Sequence, residues 1–383
     1  MARKSQSAVF GRAVETSLND DERNLERHTV TFPQFTLGES FDPDYPKSTE
    51  WLEGYNNFLL NRGGLKANTL RVMASTLRGL DSFCAKAGVY TFPTSERVIY
   101  EWFSQLQADG QSVNTLAQHK ARLSYFFERV VKLPVSMNPA KGDSINELLR
   151  TFVADQVERT GEANKDRQAL PLRSQHVKAI ADMVVGNDSS YRLPMYFRDL
   201  TFIVMSYGLS LRYDELRRMR LKQLEVVSRG SRPLVKIHRT TSKTSDSPAP
   251  KELQDDYAKV LLEYLDRFHK YSDREDFLFA KIDSKGNFRT PGKPVCKNTC
   301  STSFRRWFSI INPMDVEPTR FTHQAWTAHS ARVGSAVDGF ELGMTIDELM
   351  DVGDWTSRET LMRYLRNSTK KASVNIKLQK DFL

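Results

Sequence analysis

The segment that decides the fold is TAHSARVGSAVDGFELGMTIDELMDVGDWTSRETLMRYLR, residues 327–366. His329 and Arg332 are three residues apart, so on a helix they project from one face. Trp355 follows, and Tyr364 comes nine residues later, behind a polar Thr-Ser-Arg-Glu stretch typical of a helix start. An arginine can hold the non-bridging oxygens of a phosphodiester, an imidazole and an indole can donate further hydrogen bonds, and a phenol can attack. These side chains therefore indicate phosphodiester chemistry without a metal.

Each of these residues alone also has an ordinary structural explanation. A His-x-x-Arg pair is usually a solvated surface pair, and a Trp or Tyr in an amphipathic helix usually belongs to the core. Their order and spacing together resemble the catalytic C-terminus of the tyrosine recombinases, or phage-type integrases. The resemblance is carried by HSARVGSAVD, by the Gly-Asp-Trp-Thr segment and by LMRYLR. It implies an enzyme that cleaves and rejoins DNA at specific sites by transesterification.

Size, charge and cysteine content agree with DNA as the partner. A chain of 383 residues is expected to hold two domains. The net charge of +9 favours a polyanion, with nucleic acid ahead of an anionic membrane. Since the chain has neither an apolar span nor a signal-peptide core, we expect no membrane segment. Three widely placed cysteines favour a reducing compartment, and we expect a cytoplasmic protein of a bacterial host that acts on plasmid, phage or chromosomal DNA.

The first 159 residues predict an arm followed by a helical domain. Residues 1–43 mix charges with Gly, Pro and Ser and show no sustained period, so we expect a poorly ordered arm. Residues 44–159 carry apolar stripes at helical spacing, which predict five amphipathic helices joined by short connections. Such an arrangement favours a compact bundle, and the resemblance implies that it is a core-binding domain that contacts DNA.

Local signals predict the limits of these helices. Asn68 or Thr69 can cap the second helix, which is expected to stop near Gly88. A Pro-Thr-Ser sequence ending at Ser95 opens the third helix, and Ser112 caps the fourth.

Polar faces of the second and fourth helices are the first candidates for DNA contacts. Asn and Gln can read adenine edges, and Lys and Arg neutralise phosphates, although such faces are more often simply solvated. NTLRVMASTLRGLDSFCAKAGVYTFP and SVNTLAQH, however, resemble two helices of the family's core-binding domain, and the second of these enters the groove. The candidate contacts are Lys66, Asn68, Thr69, Arg71, Asn114, Thr115, Gln118 and Lys120.

A polar linker at residues 160–169 leads into a second domain at residues 170–366. Its GLSLRYDEL segment resembles the family's first catalytic arginine with an acidic companion, here Arg212 and Glu215, although a helical salt bridge is the ordinary explanation. LEVVS and PLVKIHR alternate as strands do, and the turn lysine Lys243 stands where the family carries its hairpin lysine. A helix up to His269 and a strand-like FLFA segment complete the predicted scaffold.

Two further segments are expected to make contacts. One precedes an amphipathic helix that by its position resembles the family's base-reading helix, with candidate contacts at Lys297, Asn298 and Thr299. The other is the tail, residues 367–383, whose apolar residues recur at four-residue steps. The resemblance implies that this tail docks on a neighbouring protomer, although it could also pack on its own domain. Its predicted interface residues are Val374, Leu378 and Phe382.

Together these features predict a mainly α protein with a small antiparallel β-sheet. The resemblance implies an N-terminal helical core-binding (SAM-like) bundle and a C-terminal α+β catalytic domain, which form a C-shaped clamp around DNA. The implied partners are double-stranded DNA with an inverted-repeat recombination site and three further copies of the chain, as a homotetramer on two sites. The resemblance implies no small-molecule substrate and no cofactor. No bound metal is expected either, because Cys296 and Cys300 lack the second ligand pair that zinc requires.

The resemblance also implies a catalytic set: Arg212, Glu215, Lys243, His329, Arg332, Trp355 and Tyr364. In this set the two arginines hold the phosphate oxygens, and the histidine and tryptophan donate to the same oxygens. Lys243 is the general acid for the 5′ oxygen, and Glu215 orients the arginine or the histidine. Tyr364 attacks, forms a 3′-phosphotyrosyl intermediate and leads through a Holliday junction to strand exchange.

Two other functions fit parts of the pattern. A type IB topoisomerase uses a similar Arg, Lys, His and Tyr set to nick and reseal one duplex, but the tryptophan and the docking tail favour a recombinase. A repressor built on an inactive recombinase scaffold would be indicated by a missing nucleophile or arginine, and none is missing. A membrane-surface protein is disfavoured because the basic residues are spread over helices and hairpins.

Overall fold

The computed structural model describes residues 27–35, 48–160, 168–186, 191, 193–239, 249–316, 318 and 322–369. The chain divides into two compact units, and the boundary between residues 166 and 167 falls inside the predicted linker. The described part is mainly helical with a three-stranded antiparallel sheet, as the sequence predicts. None of the described helices is both long and apolar enough to cross a bilayer.

The N-terminal unit contains the helices that its apolar spacing predicts. They are α1 (Ser48–Asn61), α2 (Ala67–Ala87), α3 (Glu96–Ala108), α4 (Val113–Tyr125), continued by a π-helical turn (Phe126–Val130), and α5 (Asp143–Thr160).

Capping chemistry sets most of the limits of these helices. The hydroxyls of Ser95 and Ser112 accept backbone N–H groups at the starts of α3 and α4, as predicted. Gly88 ends α2 in the left-handed conformation, with φ of 69°. The cap predicted at Asn68 or Thr69 is wrong, because α2 already begins at Ala67 and has no side-chain cap.

Residues 27–35 contribute to the core of the N-terminal unit. Val30 is buried, and the Phe35 ring packs edge-on against Phe92 with the ring centroids 4.6 Å apart. The hydroxyl of Tyr55 donates to the carbonyl of Pro33 over 2.8 Å. These residues lie in the stretch predicted as a poorly ordered arm, and that prediction is wrong for them. A few apolar side chains in a polar stretch show no period, yet they fill a groove left by the helices.

The C-terminal unit consists of eight described helices around the sheet. The helices are α6 (Ser174–Val185), α7 (Pro194–Gly208), α8 (Tyr213–Arg217), α9 (Asp255–Phe268), α10 (Lys297–Ile311), α11 (Ser330–Glu341), α12 (Ile346–Gly353) and α13 (Arg358–Thr369). The strands are β1 (Leu224–Ser228), β2 (Leu234–Ile237) and β3 (Lys251–Gln254), in the order β1-β2-β3.

The β1–β2 hairpin is predicted correctly, because Val235 and Ile237 alternate with partly exposed residues and face the core. The FLFA segment, by contrast, does not form a strand. Its backbone pairs with three separate segments: Phe277 N–H donates to Pro291, Leu278 N–H donates to Met219, and the Phe279 carbonyl accepts from Val295. The apolar run therefore marks burial, not membership of the sheet.

Helices α11, α12 and α13 enclose a small apolar cluster of their own. The start of the unit is held against α11, where the N–H of Leu172 donates to the carbonyl of Ser330 over 2.9 Å. Gly334 permits this approach, because a Cβ at that position would lie 1.8 Å from the Leu172 carbonyl oxygen. This packing fixes the helix that carries the His-x-x-Arg pair.

Candidate active site

Arg332 lies in the first turn of α11 and is buried. Its guanidinium donates to the carbonyl of Ser210 over 2.6 Å and to the carbonyl of Gly353. In the described part of the chain, no carboxylate forms an ion pair with it. Burial, followed by the charge of Arg212, lowers the pKa of Arg332 to about 10. The side chain is therefore a desolvated cation held by neutral partners.

Arg212 immediately precedes α8 and faces the same region. Its guanidinium donates to a carboxylate oxygen of Glu215 over 3.1 Å and to the carbonyl of Asp354 over 3.0 Å. The carboxylate of Glu215 also accepts the backbone N–H of Arg212, although this bond is long at 3.4 Å. The predicted Arg-x-x-Glu pair thus exists, and it is connected to the turn that follows α12.

The turn at residues 353–355 brings the two arginines together. Gly353 and Asp354 offer consecutive carbonyls, one to each guanidinium. Trp355 is buried, and the Arg332 guanidinium carbon lies 4.4 Å from the centre of its ring. Only glycine fits at position 353, because a Cβ there would lie 1.9 Å from the Trp355 ring.

His329 caps the start of α11, one turn before Arg332. Its ring meets Tyr213 edge-on, with the ring centroids 5.3 Å apart. Part of the residue is exposed, yet desolvation by the surrounding protein, and then the charges of Arg332 and Arg212, lower its pKa. The site therefore favours a neutral imidazole, which donates from one nitrogen and accepts at the other.

Tyr364 lies on α13 and is partly buried against the cluster formed by α11, α12 and α13. Its ring centroid is 6.4 Å from that of Trp355, and it is close enough to Arg332 for a tyrosinate charge to raise the pKa of that arginine. The structure thus brings together six of the seven residues of the predicted catalytic set. The seventh, Lys243, and the tail residues Val374, Leu378 and Phe382 lie outside the described residues.

Sequence reasoning missed a second charged group beside this set. The carboxylate of Asp354 accepts hydrogen bonds from Arg239, at 2.6 Å and 3.4 Å, and lies 3.1 Å from the Lys251 ammonium. Arg239 lies two residues after β2, Lys251 begins β3 and Asp354 lies in the turn after α12. The spacing of neighbouring residues cannot predict this ion pair, because 115 positions separate Arg239 from Asp354.

The predicted DNA contacts on α2 and α4 lie on surfaces of different character. On α2 and just before it, all four candidates are exposed: Lys66, Asn68, Thr69 and Arg71. On α4, Gln118 is exposed, whereas Asn114, Thr115 and Lys120 are half-buried. The Thr115 hydroxyl contacts Ser112 at 3.0 Å, and Lys120 donates to Asn146.

A polar bridge between α2 and α4 was not predicted. Arg122 donates to the Gln118 amide oxygen over 2.7 Å and to the hydroxyl of Thr76 over 3.4 Å. The same hydroxyl lies 2.9 Å from Nδ1 of His119. These contacts fix the side chain of Gln118 relative to α2.

The candidates on α10 lie at its first turn. Lys297 and Asn298 are exposed, and the Lys297 ammonium lies 4.0 Å from Asp214. The N–H of Thr299 donates to the Cys296 sulfur over 3.4 Å, so this residue serves the helix cap and is half-buried.

The arrangement is suited to an anion with two oxygens to bind. Two arginines donate to one turn, the His329 imidazole is close enough for their charges to lower its pKa, and the Tyr364 ring lies 6.4 Å from that of Trp355. The burial of Arg332 strengthens its attraction for an anion. The described residues contain no group of three or more His, Cys, Asp or Glu that could hold a metal ion.

Comparison with known proteins agrees with this chemistry. The model of the phage integrase family matches residues 171–371, which is 201 of the 383 residues. The recombinase cre of Escherichia phage P1 is 25% identical over 327 residues, covering 84% of this chain and 90% of that protein.

Solved structures show the same fold. The Tn1549 transposon integrase in complex with transposon right end DNA aligns with a TM-score of 0.53 and 16% identity, covering 82% of this chain and 93% of that one. The XerH recombinase bound to palindromic difH substrate, in a post-cleavage complex, aligns with a TM-score of 0.52 and 12% identity, covering 88% and 89%.

Proposed function

The chain belongs to the phage integrase family and is a tyrosine site-specific recombinase, a DNA-cleaving and rejoining enzyme, and from this premise we propose a Cre-like reaction for it. In this proposal Tyr364 attacks the scissile phosphate and forms a 3′-phosphotyrosyl intermediate. The main support for the proposal is the arrangement around the turn at residues 353–355. Arg332 and Arg212 donate to its carbonyls, and the ring of Tyr364 lies 6.4 Å from that of Trp355.

The two arginines bind the non-bridging oxygens of the scissile phosphate. Their guanidinium groups are already oriented by backbone carbonyls, so little reorganisation is needed when charge develops in the transition state. Arg332 contributes most, since it is buried and holds no compensating carboxylate in the described part of the chain.

His329 and Trp355 assist the arginines. The neutral His329 can accept the phenol proton of Tyr364 or donate to a phosphate oxygen, and its lowered pKa supports the first role in the free enzyme. Trp355 covers Arg332 and donates its indole N–H to the phosphate. Glu215 does not touch the substrate; it holds Arg212 in place.

Lys243 is the proposed general acid that protonates the departing 5′ oxygen. Its ammonium carries three donors, and its place between β2 and β3 corresponds to that of the family's hairpin lysine. The freed 5′-hydroxyl of a partner duplex then attacks the phosphotyrosine and reverses the step. No cofactor enters the proposed reaction.

The proposed target is a duplex site with inverted repeats, and both domains contact it. The faces of α2, α4 and α10 supply contacts to DNA. The hydrogen bond from Arg122 orients the Gln118 side chain for such a contact. Four protomers on two duplexes exchange strands pairwise through a Holliday junction, and residues 367–383 dock on the neighbouring protomer. The proposed setting is the cytoplasm of a bacterial host.

The test is the trapping of the covalent intermediate on nicked suicide duplexes from the host replicon, without magnesium. The wild type is expected to form an adduct that survives SDS and carries the 3′ side of the break, and Tyr364→Phe is expected to form none. Tight DNA binding without any adduct would favour a repressor instead. Relaxation of supercoiled DNA without exchange between two sites would favour a type IB topoisomerase.

A further inference from the structure

Asp354 is the residue between Gly353 and Trp355, and its side chain forms ion pairs with Arg239 and Lys251. Its backbone is left-handed, with φ of 50° and ψ of 45°, and it ends α12. Both terminal nitrogens of Arg239 donate to its carboxylate, at 2.6 Å and 3.4 Å. The Lys251 ammonium lies 3.1 Å from the same carboxylate and also donates to the Val352 carbonyl.

This cluster is largely removed from water. The exposed fractions of the side chains are 6% for Arg239, 13% for Lys251 and 20% for Asp354. Burial lowers the pKa of Lys251 against the attraction of Asp354. Burial also works to raise the pKa of Asp354, but the hydrogen bond from Arg239 and the charge of Lys251 outweigh it, so this pKa lies below its ordinary value. The carboxylate is therefore ionised between two cations.

The cluster and the two arginines of the proposed phosphate site contact different groups of the same three-residue turn, its side-chain carboxylate and its backbone carbonyls. Arg239 and Lys251 form ion pairs with the side chain of Asp354. Arg212 donates to the backbone carbonyl of Asp354, and Arg332 donates to that of Gly353. The carbonyls can orient the guanidinium groups only if the turn itself is fixed. The carboxylate provides this fixation by tying the turn to the sheet.

We propose that Asp354 is a positioning residue, which through its ion pairs with Arg239 and Lys251 holds the turn whose carbonyls aim Arg212 and Arg332 at the scissile phosphate. The inference rests on the proposed function, because it needs the two arginines to bind the phosphate. It assigns Asp354, Arg239 and Lys251 no contact with the DNA.

The left-handed backbone allows a variant that removes the charge and keeps the turn. Asn adopts this conformation as readily as Asp does, so Asp354→Asn leaves the backbone unstrained. Arg239→Gln removes the charge of the other partner in the ion pair and leaves the sequence of the turn unchanged. Asp351→Asn is the matched control, because Asp351 lies on the same helix and is exposed.

The experiment measures single-turnover cleavage on two duplexes. One carries the natural phosphate at the cleavage site, and the other carries a methylphosphonate, in which a methyl group replaces one charged oxygen. On the phosphate, Asp354→Asn and Arg239→Gln are expected to cleave about 10- to 100-fold more slowly than the wild type, the loss typical of misplaced reacting groups. On the methylphosphonate, which has no negative charge for an arginine to neutralise, both are expected to cleave at a rate close to that of the wild type. Asp351→Asn is expected to equal the wild type on both.

Four results would overturn the inference. The first is unchanged cleavage of the phosphate duplex by Asp354→Asn. The second is an equal loss of cleavage on both duplexes together with a lowered melting temperature, because this combination indicates general destabilisation. A loss that persists on the methylphosphonate but disappears with a sulfur leaving group at the 5′ position would assign the cluster to the general acid. Absence of a Tyr364-dependent adduct with the wild type would instead remove the proposed function, and the inference with it.

Discussion

The two sides of the proposed phosphate site are built differently. On one side, Arg332 is buried under Trp355 and donates to two carbonyls. On the other, 21% of the Arg212 side chain is exposed and its guanidinium is paired with a carboxylate. Both arginines nevertheless donate to consecutive carbonyls of one turn, at residues 353 and 354.

This difference separates binding strength from orientation. A buried cation with neutral partners keeps its full attraction for an incoming phosphate, whereas a carboxylate partner offsets part of that attraction. The Arg332 side therefore supplies most of the electrostatic stabilisation. The Arg212 side supplies a second donor whose direction is set by Glu215.

Substitution of the two arginines gives the largest expected effect. We expect Arg332→Ala to slow single-turnover cleavage by about 10³-fold and Arg212→Ala by about 10²-fold, the range for loss of a donor at a developing charge. The assay is adduct formation on a suicide duplex at saturating enzyme, with DNA binding measured separately as the control. Equal losses, or a larger loss for Arg212→Ala, would contradict the difference between the two sides.

Gly353→Ala tests the turn that the two sides share. The new methyl group would lie 1.9 Å from the Trp355 ring, so the ring must leave its place over Arg332. We expect a loss of about 1–3 kcal/mol of stability, as in overpacked cores, and a loss of cleavage of about 10- to 100-fold. Urea unfolding and the cleavage assay measure the two effects.

Gly292→Ala is the matched control for this substitution. No atom lies within 4 Å of a Cβ at that position, so its stability should stay within about 0.5 kcal/mol of the wild type. A Gly353→Ala protein as stable and as active as this control would show that the turn tolerates displacement of the ring.

The smallest expected effect is a pH dependence of stability at His329. Its pKa is lowered in the folded state, so below about pH 6.5 the unfolded chain binds a proton that the folded chain does not. Stability is therefore lost as the pH falls from the ordinary histidine pKa to the lowered one. The urea midpoint of the wild type should fall more than that of His329→Gln between about pH 7.5 and pH 5.5. Parallel midpoints for the two proteins would show that the ring is not desolvated beside the arginines.

Local chemistry accounts for most of what the sequence predicts correctly. Capping by Ser95 and Ser112, the end of α2 at Gly88 and the β1–β2 alternation depend on a few neighbouring residues, and all of them occur as expected. The candidate catalytic set could also be found in the sequence. The three-residue spacing of His329 and Arg332, and the order of the whole set along the chain, resemble a known pattern.

The features that were missed depend on contacts between distant segments. β3 carries a single buried side chain, Leu253, so it shows no apolar alternation, and pairing with β2 alone makes it a strand. The ion pair of Asp354 with Arg239 joins segments far apart in the chain, and the sequence of neither segment predicts it. Val30 and Phe35 likewise stand in a polar stretch, and only the folded helices provide their groove.

The most direct test of the central claim is to identify the protein residue in the covalent adduct. After trapping on a suicide duplex, digestion with trypsin and nuclease should leave one modified peptide, and its mass spectrum should place a 3′-linked nucleotide on Tyr364. The account predicts this linkage in the wild type and its loss in Tyr364→Phe. A nucleotide on any other residue, or an adduct of unchanged yield in Tyr364→Phe, would contradict it.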